Sequence, residues 1–283
     1  MKRFPKTLIT GGNGMVGSYA DFGTKLSKGE LDVSNLSAVM TVAKKYRPKV
    51  ILHLAALTDL DYCEKNPAEA YLVNSVGTYN VALTAREVGA KLVYISTAGI
   101  FDGQKKGFYR ESDLGNPQNH YGHSKYLGES AVQNILNDYI IARVCWMFGG
   151  GPTKDKKFVA KIITQFDKPE IKALEDSWGS PTYGKDLIGA LKKLIAKDAR
   201  GIYHLAGKGR GSRYDVAKLI VQNMKSDVKV IPVKSSFFKL PAKRVGNEAL
   251  ISKVKLMRPW REALVEYLET EWKPTLKKVT LNS

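Results

Sequence analysis

Thr7–Gly17 reads TLITGGNGMVG: a short apolar run rich in β-branched residues that ends in glycines spaced G-x-x-G-x-x-G at Gly11, Gly14 and Gly17. The run has the composition of a buried strand. Glycines directly after it let the chain turn tightly and leave backbone N–H groups free to meet a diphosphate at the start of a helix. A plain glycine-rich turn has the same composition. The position at the end of the first strand is what favours a dinucleotide site.

Working outward, strand-like runs at Thr7–Thr10, Val50–Ala55, Lys91–Ser96, Tyr139–Val144, Ile171–Leu174, Ile202–Leu205 and Val228–Ile231 alternate with helical patterns. The helices are expected at Asn35–Tyr46, Pro67–Val88, Tyr121–Leu136, Lys156–Gln165, Lys185–Ala196, Arg213–Asn223 and Pro259–Glu271. Continuous apolar strands suit a parallel sheet covered on both faces. The alternation predicts an α/β fold, a doubly wound, Rossmann-like parallel sheet with a smaller C-terminal substrate lobe. The division is expected near residue 145: a dinucleotide-binding domain over 1–145, and over 146–283 mainly the substrate lobe, interleaved with the last strands of the sheet.

Only thirteen residues, Ser18–Glu30, separate Gly17 from Leu31-Asp32-Val33. A helix of about eleven residues, a second strand and a return do not fit there. The first βαβ unit is therefore expected to be truncated, with its second strand lost. Asp32 lies twenty-one residues past Gly11, the distance of a ribose-binding carboxylate; an adenine-side role on a later strand is equally open. Lys25 and Lys28 are placed to meet a 2′-phosphate or simply to be solvated.

The chain has 283 residues and a formal net charge of +18. One α/β domain with an appended lobe fits that length as well as two domains. The lysines are scattered in pairs, from Lys44-Lys45 to Lys277-Lys278, without arginine-rich helices or zinc-finger spacing. That pattern argues solvated faces and diphosphate attraction rather than nucleic acid. No run of eighteen apolar residues offers a membrane span, and the N-terminus lacks a signal-peptide pattern, so a cytoplasmic protein is expected. Cys63 and Cys145 form neither a disulfide framework nor a metal-ligand spacing.

The second chemical signal is His120-Tyr121-Gly122-His123-Ser124-Lys125 at the start of a helix. Tyr121 and Lys125 share a face at i, i+4. A cation one turn away lowers a phenol's pKa, which lets the hydroxyl exchange protons with a carbonyl or alcohol. Upstream, Val93–Thr97 ends in the hydroxyls of Ser96 and Thr97, which can bind the same oxygen. A glycine turn, a hydroxyl-ended strand and a Tyr–Lys pair in this order point to an oxidoreductase using a nicotinamide cofactor.

With these pieces the sequence resembles the extended short-chain dehydrogenase/reductases, most closely the dTDP-4-dehydrorhamnose reductase group. The resemblance runs through TGGNGMVG (10–17), LDVSN (31–35), RPKVILHLAALTDLDYCEKNP (47–67), VNSVGTYNVA (73–82), STAGIFDG (96–103), YGHSK (121–125), RVCWMFG (143–149), WGSPTYGKDL (178–187) and RPWREAL (258–264). It implies reduction of a nucleotide-linked 4-keto-6-deoxy sugar by NADPH, with NAD the other cofactor considered. Tyr121 would be the proton donor, Lys125 the group that lowers its pKa, and Thr97 the hydroxyl that holds the carbonyl oxygen. Gly11, Gly14, Met15 and Val16 would wrap the pyrophosphate, and Asp32 and Val33 would contact the adenine. Leu54, Ala55, Ala56 and Thr58 would line the cofactor and Asn74 would support the site. Trp146 would pack near the sugar, and Trp178 to Thr182 would form part of its pocket. It also implies a homodimer in which the Pro67–Val88 and Tyr121 helices pair. The chain departs from the group at Ala98 and Gly99, where an Asp and an aromatic are usual.

His53 reads as a packed core histidine, His120 and His123 as local packing or capping, and Trp260 as a packing anchor. The polar loop of Asp59, Asp61, Cys63 and Glu64 reads equally as structure or ligand contact. Two rival functions stand beside the reductase: an NAD-dependent nucleotide-sugar epimerase, and a non-catalytic regulatory subunit that keeps the fold. Ala98 and Gly99 count against a dehydratase.

Overall fold

A computed structural model of the chain describes residues 4–275, so Lys277–Lys278 lies outside the described residues. Its centre is a six-stranded parallel sheet. The strands are β1 (Thr7–Thr10), β2 (Thr24–Leu26), β3 (Val50–His53), β4 (Lys91–Thr97), β5 (Tyr139–Val144) and, later in the chain, β10 (Gly201–His204), in the order β10-β5-β4-β3-β1-β2. The chain leaves β1 to one side for β2 and returns on the other for β3. The switch point, where open α/β sheets bind their ligands, is thus the crevice at the carboxyl ends of β1 and β3.

Strand residues alternate between two cores. Leu8, Ile51, Leu92, Tyr94 and Ile141 pack under α1 (Leu36–Tyr46), α4 (Gly77–Val88) and α5 (His120–Ile135). Ile9, Leu52, Val93, Ile140 and Ala142 pack against α8 (Gly184–Ala196) on the other face. Between β3 and α4 lie α2 (Leu60–Lys65) and α3 (Pro67–Tyr71).

The expectation that the second strand is lost is corrected. β2 is present and pairs with β1 in register Leu8↔Thr24, while the helix is what shrinks, to a single 3-10 turn at Gly17–Tyr19. Three residues suffice for a strand that borrows its hydrogen bonds from a neighbour, and Gly12 N–H extends the pairing to the Leu26 carbonyl at 2.9 Å. A helix must supply its own bonds and needs more chain.

The single helix expected over Pro67–Val88 carries a π turn at Leu72–Val76. Beyond β5 the chain builds a further core. It holds β6 (Met147–Phe148), α6 (Gly151–Lys154), α7 (Phe158–Ile163), β7 (Glu170–Leu174), β8 (Trp178–Gly179) and β9 (Thr182–Tyr183). It is completed by β11 (Gly211–Ser212), α9 (Arg213–Met224), β12 (Lys229–Val233) and α10 (Trp260–Tyr267). Phe148, Tyr183, Ile220, Trp260 and Tyr267 are among its buried residues, so Trp260 is the packing anchor its pattern suggested. No helix among the described residues is long and apolar enough to cross a membrane.

Candidate active site

The glycine turn is shaped by contacts that only glycine allows. Gly11 has φ +63°, and a Cβ there would lie 2.7 Å from the Ala55 nitrogen. Gly14 is different: it is exposed, and a Cβ would meet only the Gly11 carbonyl oxygen, at 3.2 Å. Around it the N–H groups of Asn13, Met15 and Val16 have no hydrogen-bond partner among the described residues. A concave turn with spare amide donors fits an anionic diphosphate, and Gly14 leaves the approach open.

The opposite rim is the loop after β3. Leu54, Ala55 and Ala56 are half-buried and Thr58 is exposed. A buried relay fixes that loop. Thr78 donates to the Asn74 carbonyl at 2.7 Å, so its oxygen accepts from His53 Nε2 at 3.1 Å. His53 Nδ1 then accepts from the Thr10 hydroxyl at 2.7 Å, whose oxygen receives the Ala55 N–H at 3.3 Å. His53 is a neutral core histidine, its pKa held down to about 3 by burial, with the Lys125 charge adding to the effect. Asn74 is fully buried on the π turn; it accepts from Leu57 N–H at 2.9 Å and donates to the Leu57 carbonyl at 2.9 Å and the Ser124 hydroxyl at 3.0 Å. One extra residue in the helix thereby ties the crevice rim to α5.

α5 begins beside β4. Asn119 caps it by accepting the Gly122 N–H at 2.8 Å. A side chain at Gly122 would overlap the Gly99 carbonyl, and one at Gly128 would lie 2.9 Å from the Asn74 carbonyl, so both glycines let the helix lie close. The approach sets Tyr121 beside Thr97: a Cβ at Gly99 would touch both, Thr97 Oγ1 at 3.4 Å and Tyr121 Cε1 at 3.6 Å. Thr97 Oγ1 accepts the Gly99 N–H at 3.0 Å, leaving the hydroxyl proton for another acceptor.

Burial pushes the Tyr121 phenol up to about 12, against the pull of the Thr97 hydrogen bond. Lys125 is 3% exposed, and its Nζ stands 4.2 Å over the Tyr94 ring. Burial brings its pKa down to about 7, with Glu129 opposing. Glu129 itself is committed to Arg143 on β5, through bonds of 2.8 to 3.2 Å, which fastens α5 to the sheet.

Asp32 is exposed and accepts from the Ser34 N–H and hydroxyl at 2.9 and 2.7 Å, a local turn that leads into α1. Val33 is a buried core residue against Gly77. Half-buried Lys25 and exposed Lys28 flank the carboxyl end of β2. The polar loop after β3 is structural in several contacts: Asp59 caps α2, Asp61 pairs with Arg244 at 2.9 Å, and Glu64 accepts the His120 N–H at 3.1 Å. Both His120 and His123 hydrogen-bond the Tyr71 hydroxyl.

Trp146 holds a left-handed backbone, φ +42°, which costs energy in a non-glycine residue and concentrates at functional sites. Its indole N–H donates to Glu248 at 2.6 Å, and the Arg213 guanidinium lies 3.6 Å above its ring. Trp178 pairs with Ser212 and carries Arg210 at 4.9 Å over its ring. Thr182 is fully buried; its hydroxyl is spent on the Ser180 carbonyl at 3.0 Å and does not line the crevice. Sequence reading missed Glu248 and Arg213. It also missed Lys154 and Lys157, which reach from the core beyond β5 to the Asn13 carbonyl at 3.2 Å and to Thr58 at 2.8 Å. Nothing local separates these lysines from their many solvated neighbours.

The family model described as the RmlD substrate-binding domain matches residues 5–272. The chain is 33% identical to the spore coat polysaccharide biosynthesis protein SpsK of Bacillus subtilis, over 93% of this chain and 97% of that one. It is 32% identical to a dTDP-4-dehydrorhamnose reductase of Mycobacterium tuberculosis, over 94% and 93%. A crystal structure of dTDP-4-dehydrorhamnose reductase from Bacillus anthracis in complex with NADP superimposes with a TM-score of 0.90 at 34% identity, covering 94% of this chain and 99% of that one. With a glycine-turn crevice at the sheet's switch point, a Thr–Tyr–Lys set beside it and a match over nearly its whole length, the chain belongs to the RmlD substrate-binding-domain family of extended short-chain dehydrogenase/reductases.

Proposed function

We propose that this protein reduces the C4 carbonyl of a dTDP-linked 4-keto-6-deoxy sugar with NADPH. The observation that carries the reading is that the Thr97 hydroxyl and the Tyr121 ring both border Gly99, at the carboxyl end of β4. The nicotinamide supplies the hydride. A phenol with a raised pKa keeps its proton at neutral pH and is therefore a donor in the reducing direction. Thr97, its oxygen occupied by Gly99 N–H, donates its own proton to the carbonyl oxygen and holds it for Tyr121. Lys125, one turn along, supplies countercharge as the phenol gives up its proton.

Gly11, Gly14, Met15 and Val16 would hold the pyrophosphate, with Leu54, Ala55, Ala56 and Thr58 as the facing wall and Asn74 bracing it. Asp32 and Val33 would stand at the adenine. Lys25 and Lys28, at the end of β2, favour NADPH over NADH. Trp146 and Trp178 would line the sugar nucleotide from the part of the chain beyond β5, and Thr182 would set their backbone from behind. We also read a homodimer from Leu72, Val76 and Tyr79, which expose 46%, 44% and 46% of their surface on one helical face next to Leu127 at 41%. An apolar stripe of this kind suits a second copy of the chain.

Mixing the purified protein with NADPH and a dTDP-4-keto-6-deoxy sugar should consume the nicotinamide absorbance and yield a C4 alcohol, and Tyr121→Phe should abolish both. Tightly retained NAD⁺ with no net reduction would favour the epimerase. No turnover across several 4-keto sugar nucleotides would favour a non-catalytic subunit.

A further inference from the structure

We propose that Arg213 is the anchor for the diphosphate of the sugar nucleotide; this rests on the substrate class proposed above. Arg210, Arg213 and Arg244 lie around Trp178, Trp146 and Glu248. Arg210 donates to the Lys106 carbonyl at 3.0 Å. Arg244 is spent on Asp61 at 2.9 Å and the Ala242 carbonyl at 2.8 Å. The Arg213 guanidinium alone of the three meets no hydrogen-bond acceptor and no carboxylate within 4.0 Å among the described residues. It is half-buried between two aromatic rings, 3.6 Å from Trp146 and 4.8 Å from Phe158. Burying a guanidinium without acceptors is costly, and stacking on aromatic rings offsets only part of that cost. The planar fork is left oriented and unsatisfied, the state that best receives two phosphate oxygens.

Its placement matches the ligand. Glu248 takes the Trp146 indole N–H at 2.6 Å, and its charge also reaches Tyr121. Arg213 stacks on the face of that same indole, and its charge and that of Glu248 act on each other. A sugar packed on Trp146 with its C4 at Tyr121 would meet, for its anomeric phosphate, the arginine that stacks on that ring and has no acceptor of its own. Glu248 is a carboxylate whose charge reaches Arg213 and would oppose an anion. It is offset by the indole N–H and by the field of Arg244 as well as of Arg213. The backbone N–H of Arg213 is bonded to the Ser177 carbonyl at 3.2 Å, which fixes the base of the side chain.

The test is calorimetric binding of dTDP and of dTMP to wild type, Arg213→Gln and Arg213→Lys, alongside steady-state kinetics. Loss of a charge-assisted contact predicts dTDP affinity lower by roughly 10- to 100-fold in Arg213→Gln. KM should rise by the same factor, with kcat nearly unchanged and NADPH affinity intact. The dTMP affinity should change far less. Arg213→Lys, which keeps charge without the fork, should fall between; it also serves if the glutamine variant does not fold. Equal dTDP affinity in wild type and variants, no dTDP binding by wild type, or a fall in kcat with KM unchanged would each overturn the assignment. If wild type binds dTDP through Arg213 yet reduces no 4-keto sugar, the anchor stands and the reductase reading falls. Turnover that is indifferent to Arg213 sinks the anchor alone.

Discussion

Replacing Lys125 by methionine should make the protein more stable and inactive. The ammonium is buried, with the Tyr94 ring as its main companion, and its pKa falls from 10.5 to about 7. At about 1.36 kcal/mol per pH unit that fall corresponds to roughly 5 kcal/mol, of which about 4 is felt at pH 7. Methionine has the same length and needs no water, but it forfeits a cation–π contact of about 1–2 kcal/mol. The net gain at pH 7 is about 2–3 kcal/mol, or roughly 3–5 °C in Tm for a chain of this size. The sign follows from proton binding. Between pH 7 and 10.5 the unfolded chain holds a proton at Lys125 that the folded chain has lost, so wild-type stability rises with pH across that window. The advantage of Lys125→Met is therefore fullest below pH 7 and should shrink to within about 1 kcal/mol by about pH 9.5. Calorimetric melts of both proteins from pH 6 to 9.5 check this, and reductase kcat/KM should drop by about 100-fold or more. A variant less stable than wild type at pH 6, or a gain that does not vary with pH, would refute the reasoning.

The glycine turn separates packing from binding. Gly11→Ala, at φ +63° and against the Ala55 nitrogen, should cost more than about 2 kcal/mol in melting experiments. Gly14→Ala should leave stability within about 1 kcal/mol yet weaken NADPH binding about tenfold, by displacing one amide–phosphate contact; titration of nicotinamide fluorescence reads it. Glu129→Gln leaves Arg143 buried without a countercharge and should destabilise by about 3–5 kcal/mol in urea unfolding. Val76→Glu, on the exposed helical stripe, should convert a dimer to monomer in sedimentation; an unchanged sedimentation coefficient would place the subunit contact elsewhere.

How much of this was legible beforehand depends on where the hydrogen bonds come from. The strands at Thr7–Thr10 and Tyr139–Val144 were legible to the residue, because strands buried on both faces must be continuously apolar and their ends are marked by turns. β2 was not. Its three residues are held by pairing with β1, and that information lies in another segment. The π turn at Leu72–Val76 was equally invisible: the helical pattern continues through it, and only the need to aim Asn74 at Leu57 explains the extra residue.

The same distinction divides the site. Tyr121 and Lys125 share one helix, and Thr97 ends the strand beside it, so spacing along the chain already places all three on one wall. What spacing could not show is the electrostatics. The family resemblance makes Lys125 the group that acidifies Tyr121, yet burial dominates, holding the phenol near 12 and the lysine near 7. A set that reads as an ion-assisted acid in sequence is, in the folded protein, a protonated phenol with a buried lysine one helical turn along, seated over the Tyr94 ring. The sugar-facing wall is less legible still. Trp146, Arg213 and Glu248 come from three segments, joined by a stacked guanidinium and one indole hydrogen bond. Neither pairing has a period or a motif. The reaction is therefore written in local sequence, while the choice of substrate is written in contacts between distant segments. A substitution at position 213 is therefore expected to change how tightly a sugar nucleotide is held without touching the proton transfer.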